Sequence, residues 1–435
     1  MPADLVDAPL FRPPAPVPKE GPSGLFAFLR DLRRNPLTTW LDEHFDHLVV
    51  AGESVLGRVT VMSDPAGIKH VLVDNAANYR KDDLQMRVLA PGLGRGLLTA
   101  EGEAWRLQRR ILAPLFNPRS VTGFAPAMVA AAERMMRRWR RRTGQTVDVA
   151  LEMTRVTLDV LERTIFTHGL SHDPDALGRA ITRFFEEVVG ELIDNRRAAL
   201  ARREDVPCDL LTLLLEAADP ETGQGLSDLE VRANIVTFIG AGHETTANAL
   251  TWSLYLLSQA PGVRERVEAE VDAVAGDGPL DPEDVGRLLF TRAVIDEAVR
   301  LYPPVPFMSR AAIREDRIGS LKIPARSVVA IVPWVLHRHR RLWDGPDAFD
   351  PDRFLPERRG AIDRFAYLPF GVGPRVCIGA SFSLQEAVIV LAAIVRSARL
   401  DLSDGHEVTP LHRITLRPEG GLPMRLTPRG HPTSD

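Results

Sequence analysis

The chain has 435 residues, of which 45% are hydrophobic and 26% are charged, and its formal net charge is −4. This composition is ordinary for a globular protein and excludes disordered, collagen-like and coiled-coil chains. The small net charge points to neither nucleic acid nor an anionic membrane as a partner. The sequence contains two cysteines, Cys208 and Cys377, which excludes a disulfide-rich secreted scaffold. We therefore expect reduced thiols and a cytoplasmic location.

The chain is expected to fold as one large domain behind a short arm. Residues 1–24 are rich in proline and glycine and lack the apolar core of a signal peptide. Residues 25–435 contain neither a repeat nor a low-complexity linker. The segment 235–257 is mostly apolar, but Glu244 lies near its middle, and an acidic side chain at the centre of a membrane-spanning helix costs roughly 2.5–3.5 kcal/mol. We therefore predict a buried helix there and no membrane span.

Apolar periodicity divides the domain into many helices and few strands. In chain order the patterns predict a strand or hairpin at 48–62, helices at 64–72, 102–142 and several times within 148–218, a long helix at about 228–260, a helix from Asp281-Pro282 to just before Pro303, short strands within 309–332, an irregular stretch at 340–376, a helix at about 379–397 and closing strands. The expected fold class is mainly α with a minor β part. A long irregular stretch inside a compact domain is usually functional.

The longest predicted helix carries clear start and stop signals. Ser227 and Glu230 form a capping-box pattern, and Pro261-Gly262 ends the helix. A helix of this length measures about 50 Å and crosses a whole domain. Its middle is apolar on all sides, so we expect it to be interior.

The most specific pattern is the segment FGVGPRVCIG, which runs from Phe370 to Gly379. Its glycines let the main chain approach a flat molecule closely. Cys377 lies just before the last predicted helix, where backbone N–H groups and the helix dipole stabilise a thiolate. Arg375 adds a positive charge two residues away. The simpler interpretation of a lone cysteine is a structural thiol in a tight turn, and the complete pattern argues against it.

Five positions of this segment reproduce the haem-binding signature of the cytochrome P450 monooxygenases: Phe370, Gly373, Arg375, Cys377 and Gly379. The chain resembles that family, and because three further segments match in the family's order, the resemblance covers about residues 40–428. It implies a cytochrome P450 fold in which haem b lies between the long central helix and the cysteine loop with its following helix. It also implies that Cys377 is the axial ligand of the haem iron.

The second matching segment, AGHETT at residues 241–246, lies midway along the long helix. Small residues there leave room for a flat macrocycle, and an acid beside an alcohol is a proton-delivery arrangement. The resemblance implies that Glu244 is this acid and Thr245 this alcohol. The alternative is a packing notch in which the threonine hydroxyl bonds back to the preceding turn.

The third matching segment contains Glu297 and Arg300, which lie three residues apart on a helix and can pair. By the resemblance, Arg353 in FDPDRF is the third member of a Glu-Arg-Arg network. Such a network would tie the irregular stretch to the helix and so hold the cysteine loop in place.

The fourth matching segment supplies partners for the haem propionates. Trp105 and Arg109 lie one helical turn apart, and the resemblance gives them, with Arg310 and Arg375, this role. Arginine pairs bidentately with carboxylates, so the residue type fits. Phe370, Gly379 and Ala241 complete the residues that the resemblance implies for haem binding.

The family's substrate-contact segments correspond here to 82–99, 170–200, 234–245, 304–308 and 420–424. The resemblance places four of their residues closest to the iron: Leu98, Thr237, Ala241 and Val305. All but Thr237 are apolar, so the substrate is expected to present an apolar carbon to the iron. Each of the four could instead be ordinary core.

The resemblance implies insertion of one atom of O2 into an apolar C–H bond of a hydrophobic small molecule. The spellings GAGHETT, EAVRLYPP and DPDRFLPE look closer to the fatty-acid and microsomal-type branch, which favours a lipid or terpenoid substrate. No flavin domain follows residue 435, so electrons from NAD(P)H are expected through a separate ferredoxin or flavodoxin with its reductase. We expect a monomer that does not bind nucleic acid.

Two alternatives use the same haem. A peroxide-driven peroxygenase needs no proton-relay alcohol, and the Glu244–Thr245 pair argues against it. A haem sensor or carrier needs neither the relay nor an open pocket.

Overall fold

The computed structural model of the chain describes residues 10–54, 57–166, 183–276 and 282–429. Residues 1–9 of the predicted arm and residues 170–182 of a predicted substrate-contact segment lie outside the described residues. So does Asp281, which marks the predicted start of a helix.

Helices dominate the described chain, and the prediction of a mainly α fold with a minor β part is confirmed. Numbered in chain order, the α-helices are α1 (Leu25–Arg34), α2 (Glu43–Asp46), α3 (Pro65–Lys69), α4 (Asp83–Leu93), α5 (Gly102–Leu112), α6 (Pro118–Thr122), α7 (Ala125–Arg140), α8 (Val149–Ile165), α9 (Arg183–Ala201), α10 (Leu210–Glu216), α11 (Asp228–Gln259), α12 (Pro261–Ala275), α13 (Leu289–Leu301), α14 (Pro333–Leu336), α15 (Pro356–Arg359) and α16 (Ala380–Ser397).

The long helix α11 begins and ends where its sequence signals place it. The Ser227 side chain accepts from the Glu230 amide, and the Glu230 carboxylate accepts from the Ser227 amide, so both halves of the capping box are present. The helix ends at Gln259, and Pro261 starts α12.

The predicted continuous helix from Asp281 is wrong. The structure has a 3₁₀ segment, Pro282–Arg287, and then α13, which begins at Leu289. The first turn of α13 is capped by a side chain from another helix, since the amides of Phe290 and Thr291 donate to the Glu270 carboxylate at 2.6 and 2.7 Å. A start signal supplied from α12 cannot be read from the local sequence.

The predicted helix at 102–142 is divided into shorter pieces by prolines. Pro114, Pro118 and Pro126 each lie in the first turn of a new helical segment. Proline fits a first turn but removes a hydrogen bond and clashes inside a helix, so each one starts a segment and ends the previous one.

The β part consists of short strands in four small sheets. The strands are β1 (Val49–Ser54), β2 (Gly57–Met62), β3 (Tyr79–Arg80), β4 (Thr146–Asp148), β5 (Met308–Ala312), β6 (Asp316–Ile318), β7 (Leu321–Ile323), β8 (Val328–Ile331), β9 (Ala398–Leu402), β10 (Pro410–His412), β11 (Leu416–Pro418) and β12 (Pro423–Pro428). The largest sheet has the order β1-β2-β8-β5-β3, and the others are β4-β12-β9, β10-β11 and β6-β7. The predicted hairpin at 48–62 is confirmed, since β1 and β2 pair antiparallel with Val50 opposite Val61.

The core is built around α11, which contacts α8, α13 and α16. Trp252 of α11 stacks on Tyr302, with 3.8 Å between the ring centroids. Among the described residues, α16 is the one helix long and apolar enough to cross a membrane. It contacts α7 and α11 and buries residues 388–391, so its apolar character serves the core.

The irregular stretch 340–376 is held by a buried ionic network. The Arg300 guanidinium donates to both carboxylate oxygens of Glu297 at 2.6 and 2.8 Å, and neither side chain is exposed. Arg353 Nε lies 3.5 Å from the same carboxylate. Arg300 also donates to three main-chain oxygens, those of His337, Pro346 and Ala348. The three predicted residues therefore meet, and they fasten the stretch to α13.

We predict that Arg300→Ala prevents accumulation of folded protein. Removing one partner of a buried ion pair leaves the other charge uncompensated and costs roughly 3–5 kcal/mol. The matched control is Arg266→Ala, which removes an exposed pair with Asp352 in the same stretch; such pairs contribute about 0–1 kcal/mol. Thermal unfolding of both variants is the measurement. Equal midpoints for the two variants would contradict a structural role for Arg300.

Candidate active site

The middle of α11 borders an internal space. Residues 240 and 241 are exposed and residues 242–245 are half-buried, whereas residues 237–239 and 246–257 of the same helix are buried. Accessible residues in the middle of a core helix indicate a cavity beside it. We call residues 240–245 the accessible stretch, and it contains the predicted Ala241, Glu244 and Thr245.

One small residue of this stretch serves packing and not the cavity. A Cβ at Gly242 would lie 3.2 and 3.3 Å from the methyl carbons of Leu161 on α8. Thr157 of α8 also donates to the His243 carbonyl oxygen at 3.0 Å. The prediction that all the small residues leave room for a macrocycle therefore holds for the exposed Ala241, and Gly242 instead lets α8 approach.

Residues 370–379, which we call the Cys loop, form a closed turn ahead of α16. The Cys377 amide donates to the Phe370 carbonyl oxygen at 2.9 Å. Gly371 and Gly373 have φ angles of +69° and +78°, which favour glycine. A Cβ at Gly373 would lie 2.0 Å from the Leu72 carbonyl oxygen, which belongs to the π-helical segment His70–Asp74. Gly373 is therefore required by a close contact between two backbones as well as by its own conformation.

The Cys377 thiol is accessible although protein surrounds it, as for a residue that faces an enclosed cavity. Burial raises the pKa of the Cys377 thiol above its ordinary value, while the Gly379 amide, which donates to the sulfur, and Arg109 act in the opposite direction. The backbone N–H therefore acts in the predicted direction, but the effect of burial on the pKa of the thiol is larger. A cation bound to the sulfur would reverse the balance.

The Cys loop and the accessible stretch belong to one site. The hydroxyl groups of Thr246 and Ser383 lie 3.0 Å apart, which joins α11 to the first turn of α16. Thr246 directly follows the accessible stretch, and Ser383 lies on the helix that starts just after Cys377. The two segments that the sequence singles out thus flank the crossing of α11 and α16.

A cluster of cations lies beside this crossing. It contains Arg109, Arg310 and Arg375, and burial lowers the pKa of each. Among the described residues, Arg109 has no carboxylate partner, and an ionised Cys377 sulfur acts to raise its pKa. Arg310 donates to its neighbour's carbonyl oxygen, that of Ser309. The cluster therefore retains positive charge that the protein does not neutralise.

Lys81 is a member of the cluster that sequence reasoning missed. It is 7% exposed, and burial, reinforced by Arg375, lowers its pKa to about 7. Its ammonium group donates to the Leu98 carbonyl oxygen and lies 3.9 Å from the Glu101 carboxylate. A lysine among many charged residues gives no local signal, and only the fold shows that it is buried.

Two predicted propionate partners already have protein partners. Arg375 donates to the Ala100 carbonyl oxygen at 2.8 Å and to Glu101 at 2.5 Å. Trp105 stacks against this guanidinium, whose carbon lies 4.1 Å from the ring centroid. In this structure Trp105 therefore packs against Arg375. Arg109 and Arg310 are the arginines of the cluster that hydrogen-bond to no carboxylate among the described residues, although Glu101 and Asp82 act on Arg310 electrostatically.

Glu244, the acid of the predicted proton-delivery pair, is hydrogen-bonded to a residue that the sequence did not indicate. Thr245 Oγ1 donates to the Ala241 carbonyl oxygen at 2.6 Å, so the back-bonded geometry considered as the alternative is present. That bond leaves the lone pairs of Oγ1 available to accept. Glu244 Oε1 accepts from the hydroxyl of Thr415 at 2.7 Å. Thr415 lies in the turn between β10 and β11, outside every segment that the sequence indicated.

The predicted pocket residues divide into accessible and buried ones. Leu98 is half-buried, and Ala241 and Val305 are exposed. Thr237 is 4% exposed, and its hydroxyl lies 2.5 Å from where a Cβ of Gly96 would be. Thr237 therefore packs beneath the loop before α5, and its role in the pocket stays a prediction.

Ile414 is an accessible apolar residue that the prediction missed. It is 64% exposed and directly precedes Thr415, whose hydroxyl reaches α11. The Leu416 amide donates to the Pro304 carbonyl oxygen at 3.0 Å, which brings this turn next to Val305. The predicted segment 420–424 lies beyond this turn and stays a prediction.

The cytochrome P450 family model matches residues 56–177 and 175–423 of this chain. Cyclooctatin synthase of Streptomyces melanosporofaciens is 34% identical over 394 residues, 84% of this chain and 84% of that protein. Cyclooctat-9-en-7-ol 5-monooxygenase of the same organism is 32% identical over 370 residues, 78% of this chain and 79% of that protein. The crystal structure of the cytochrome P450DA haem domain superposes with a TM-score of 0.84 at 29% identity, covering 96% of this chain and 98% of that chain.

The chain therefore belongs to the cytochrome P450 family. It is an oxidoreductase of the monooxygenase type, with haem as its cofactor and O2 as co-substrate.

The residues present fit a haem. Cys377 offers the accessible sulfur that a haem-thiolate protein requires as axial ligand. Arg109 and Arg310 offer buried positive charge to carboxylates such as the haem propionates, with Lys81 beside them. The accessible stretch of α11 provides a wall with the small side chain of Ala241.

We predict that Gly373→Ala destabilises the Cys loop more than Gly371→Ala does. Both residues have positive φ angles, so each change carries a conformational cost of about 1–2 kcal/mol. At Gly373 the methyl group also meets the Leu72 carbonyl oxygen, which adds roughly 1–3 kcal/mol, whereas at Gly371 no atom lies within 4 Å. Haem content and thermal unfolding of the two variants are the measurements, and equal loss in both would refute the contact.

Proposed function

We propose that this protein inserts one atom of O2 into an apolar C–H bond of a hydrophobic small molecule. The observation that carries the proposal is the accessible Cys377 thiol beside the accessible stretch of α11, at the crossing of two core helices. A thiolate ligand and an acid–alcohol pair in one site are what this chemistry needs from a protein.

Accessible apolar side chains from separate elements support a hydrophobic substrate. They are Leu98, Ala241, Val305 and Ile414. The Leu97 amide donates to the Asn234 side chain and the Thr415 hydroxyl donates to Glu244, so side chains of α11 hold two of these loops, and the Leu416 amide joins the second loop to Pro304. Apolar lining with few polar groups is typical of pockets that bind apolar molecules. Together with a relative named as a cyclooctat-9-en-7-ol 5-monooxygenase, this favours a lipid- or terpenoid-like substrate.

The chain's own groups have distinct roles in the proposal. When bound, the haem supplies the oxidation chemistry, and a cysteine ligand favours O–O cleavage. Cys377 would hold the iron as a thiolate. Thr245 Oγ1 accepts and passes a proton, since its lone pairs are free while its own hydrogen is directed to Ala241. Glu244 supplies that proton from its carboxyl group. The apolar residues orient the substrate carbon and exclude water.

We further propose that electrons come from NAD(P)H through a reductase and a ferredoxin or flavodoxin. The partner would dock on the face nearest Cys377, which keeps the transfer distance short. Both cysteines are free thiols, which agrees with a cytoplasmic location. We propose that the protein acts as a monomer.

Replacing Cys377 with serine is predicted to remove the red-shifted absorption band of the ferrous carbon monoxide complex. The band reports a thiolate ligand, and Cys377 is the cysteine of the haem signature. Cys208→Ser is the matched control, because Cys208 is exposed and lies outside the site. A band that survives in Cys377→Ser, or disappears in Cys208→Ser, would show that the ligand is assigned wrongly.

Replacing Thr245 with alanine is predicted to uncouple NAD(P)H consumption from product formation without loss of haem. Haem content and substrate-induced spectral shifts stay at the wild-type level, because the hydroxyl acts only during turnover. Product formed per NAD(P)H falls several-fold and hydrogen peroxide rises. This loss is smaller than the contribution of a proton-relay group to the rate of its step, which is on the order of 10²–10⁴-fold. Product and peroxide are both measured per NAD(P)H.

Glu244→Gln provides the companion measurement. It is expected to slow O2-dependent turnover, and added hydrogen peroxide is expected to restore part of the product in both variants because peroxide brings its own protons. Unchanged coupling in Thr245→Ala would make the hydroxyl a packing group and would favour the peroxygenase or the haem sensor.

A further inference from the structure

The carboxyl group of Glu244 is held by a residue far away in sequence. Glu244 Oε1 accepts from Thr415 Oγ1 at 2.7 Å, and the two residues are 171 positions apart. The other oxygen, Oε2, has no hydrogen-bond partner among the described residues, and it is absent from the buried polar atoms that lack one. The acid therefore has one anchored oxygen and one accessible oxygen.

A second hydrogen bond to Thr415 fixes the direction in which its hydroxyl group donates. Asn248 Nδ2 donates to Thr415 Oγ1 at 3.1 Å, one helical turn after Glu244 on α11. An amide nitrogen only donates, so it occupies a lone pair of the hydroxyl oxygen. The hydroxyl hydrogen of Thr415 is then directed to Glu244 Oε1. When Glu244 carries a proton, the proton is consequently on Oε2.

The anchor is also rigid. Thr415 and Asn248 are 5% and 6% exposed, so neither exchanges freely with water. The turn that carries Thr415 is fixed by its neighbour Leu416, whose amide donates to Pro304 and whose carbonyl oxygen accepts from Trp252. A group held this way keeps its position during turnover, which is what preorganisation requires.

We infer that Thr415, oriented by Asn248, is a positioning residue that fixes the Glu244 carboxyl group so that Oε2 is the oxygen that delivers the proton. This inference rests on the proposed function. The proton leaves Oε2 and Glu244 regains one from water, so no other reactant is needed. Thr415 touches neither substrate nor haem in this scheme and acts only through Glu244.

The test compares Thr415→Val with Thr415→Ser, because valine keeps the shape of threonine without the hydroxyl and serine keeps the hydroxyl. Cyclooctat-9-en-7-ol is the probe substrate, with a surrogate ferredoxin and its reductase. In Thr415→Val, product per NAD(P)H is expected to fall roughly 10-fold, within the 10²-fold that a 1 Å misplacement can cost. Peroxide-driven product is expected to stay unchanged, and Thr415→Ser is expected to restore coupling.

Ser253→Ala is the matched control. It removes a buried hydroxyl of the same helix, which donates to the Ala249 carbonyl oxygen, and it does not touch Glu244. Its coupling is expected to equal that of the wild type. In a Glu244→Gln background, Thr415→Val is expected to change nothing further, because its target is already lost.

A readout without turnover completes the test. The infrared band of the Glu244 carboxyl group, identified by its loss in Glu244→Gln, is expected to shift in frequency in Thr415→Val because one hydrogen bond is gone. Should Thr415→Val fail to bind haem, Asn248→Ala removes only the orienting bond, and a partial loss of coupling is expected.

Wild-type coupling in Thr415→Val, an equal loss in peroxide-driven product, or an unmoved carboxyl band would each overturn the inference. Wild-type coupling in Asn248→Ala would overturn the part assigned to Asn248. If the wild-type enzyme itself forms no O2-dependent product from any hydrophobic compound, the proposed function fails instead, and the infrared band still decides whether Thr415 holds Glu244.

Discussion

The buried pair of Glu297 and Arg300 is the interaction on which the site depends most. Both charges are fully buried, so their desolvation is expensive and is offset only if every hydrogen-bonding position is used. The structure meets that condition, because Arg300 makes two bonds to Glu297, two to main-chain oxygens of the irregular stretch and one to the main-chain oxygen of His337 just before it. These bonds replace the regular secondary structure that would otherwise hold such a segment. The main effect of this buried ion pair is therefore to select one conformation of the stretch 340–376, and its net contribution to the free energy of unfolding is small.

Two contacts connect the backbone held by the Glu297–Arg300 pair to the Cys loop and fix the position of Cys377. Buried His337, whose main-chain oxygen accepts from Arg300, has a pKa lowered to about 3 by burial, so its ring is neutral at ordinary pH. Its Nε2 accepts from the Leu368 amide at 2.9 Å, two residues before the Cys loop begins. From the other side, the backbone of Leu72 packs against Gly373. The sulfur is thus positioned by a chain of main-chain contacts, which tolerate little displacement.

Local signals predicted the parts of the fold that depend on neighbouring residues, and they failed where a distant residue decides. The capping box of α11 and the glycines of the Cys loop are short patterns, and both are present as expected. The start of α13 was misplaced because Glu270 of another helix caps it. Thr415 and Lys81 were missed for the same reason, since their roles come from the tertiary fold. The packing of Thr237 against Gly96 could not be predicted either, because a position on α11 does not reveal which face meets the loop before α5.

The electrostatics of the site explain why one ligand satisfies both of its unusual features. Burial raises the pKa of the Cys377 thiol, which a metal cation at the sulfur reverses. Burial also lowers the pKa of Arg109 and Arg310, which carboxylates beside them reverse. A cation alone would worsen the repulsion within the arginine cluster, and an anion alone would raise the pKa of the thiol further. A haem carries the metal at its centre and its carboxylates at one edge, so it lowers the pKa of the thiol and raises the pKa of the arginines at the same time. Binding of the cofactor and ionisation of Cys377 are therefore coupled.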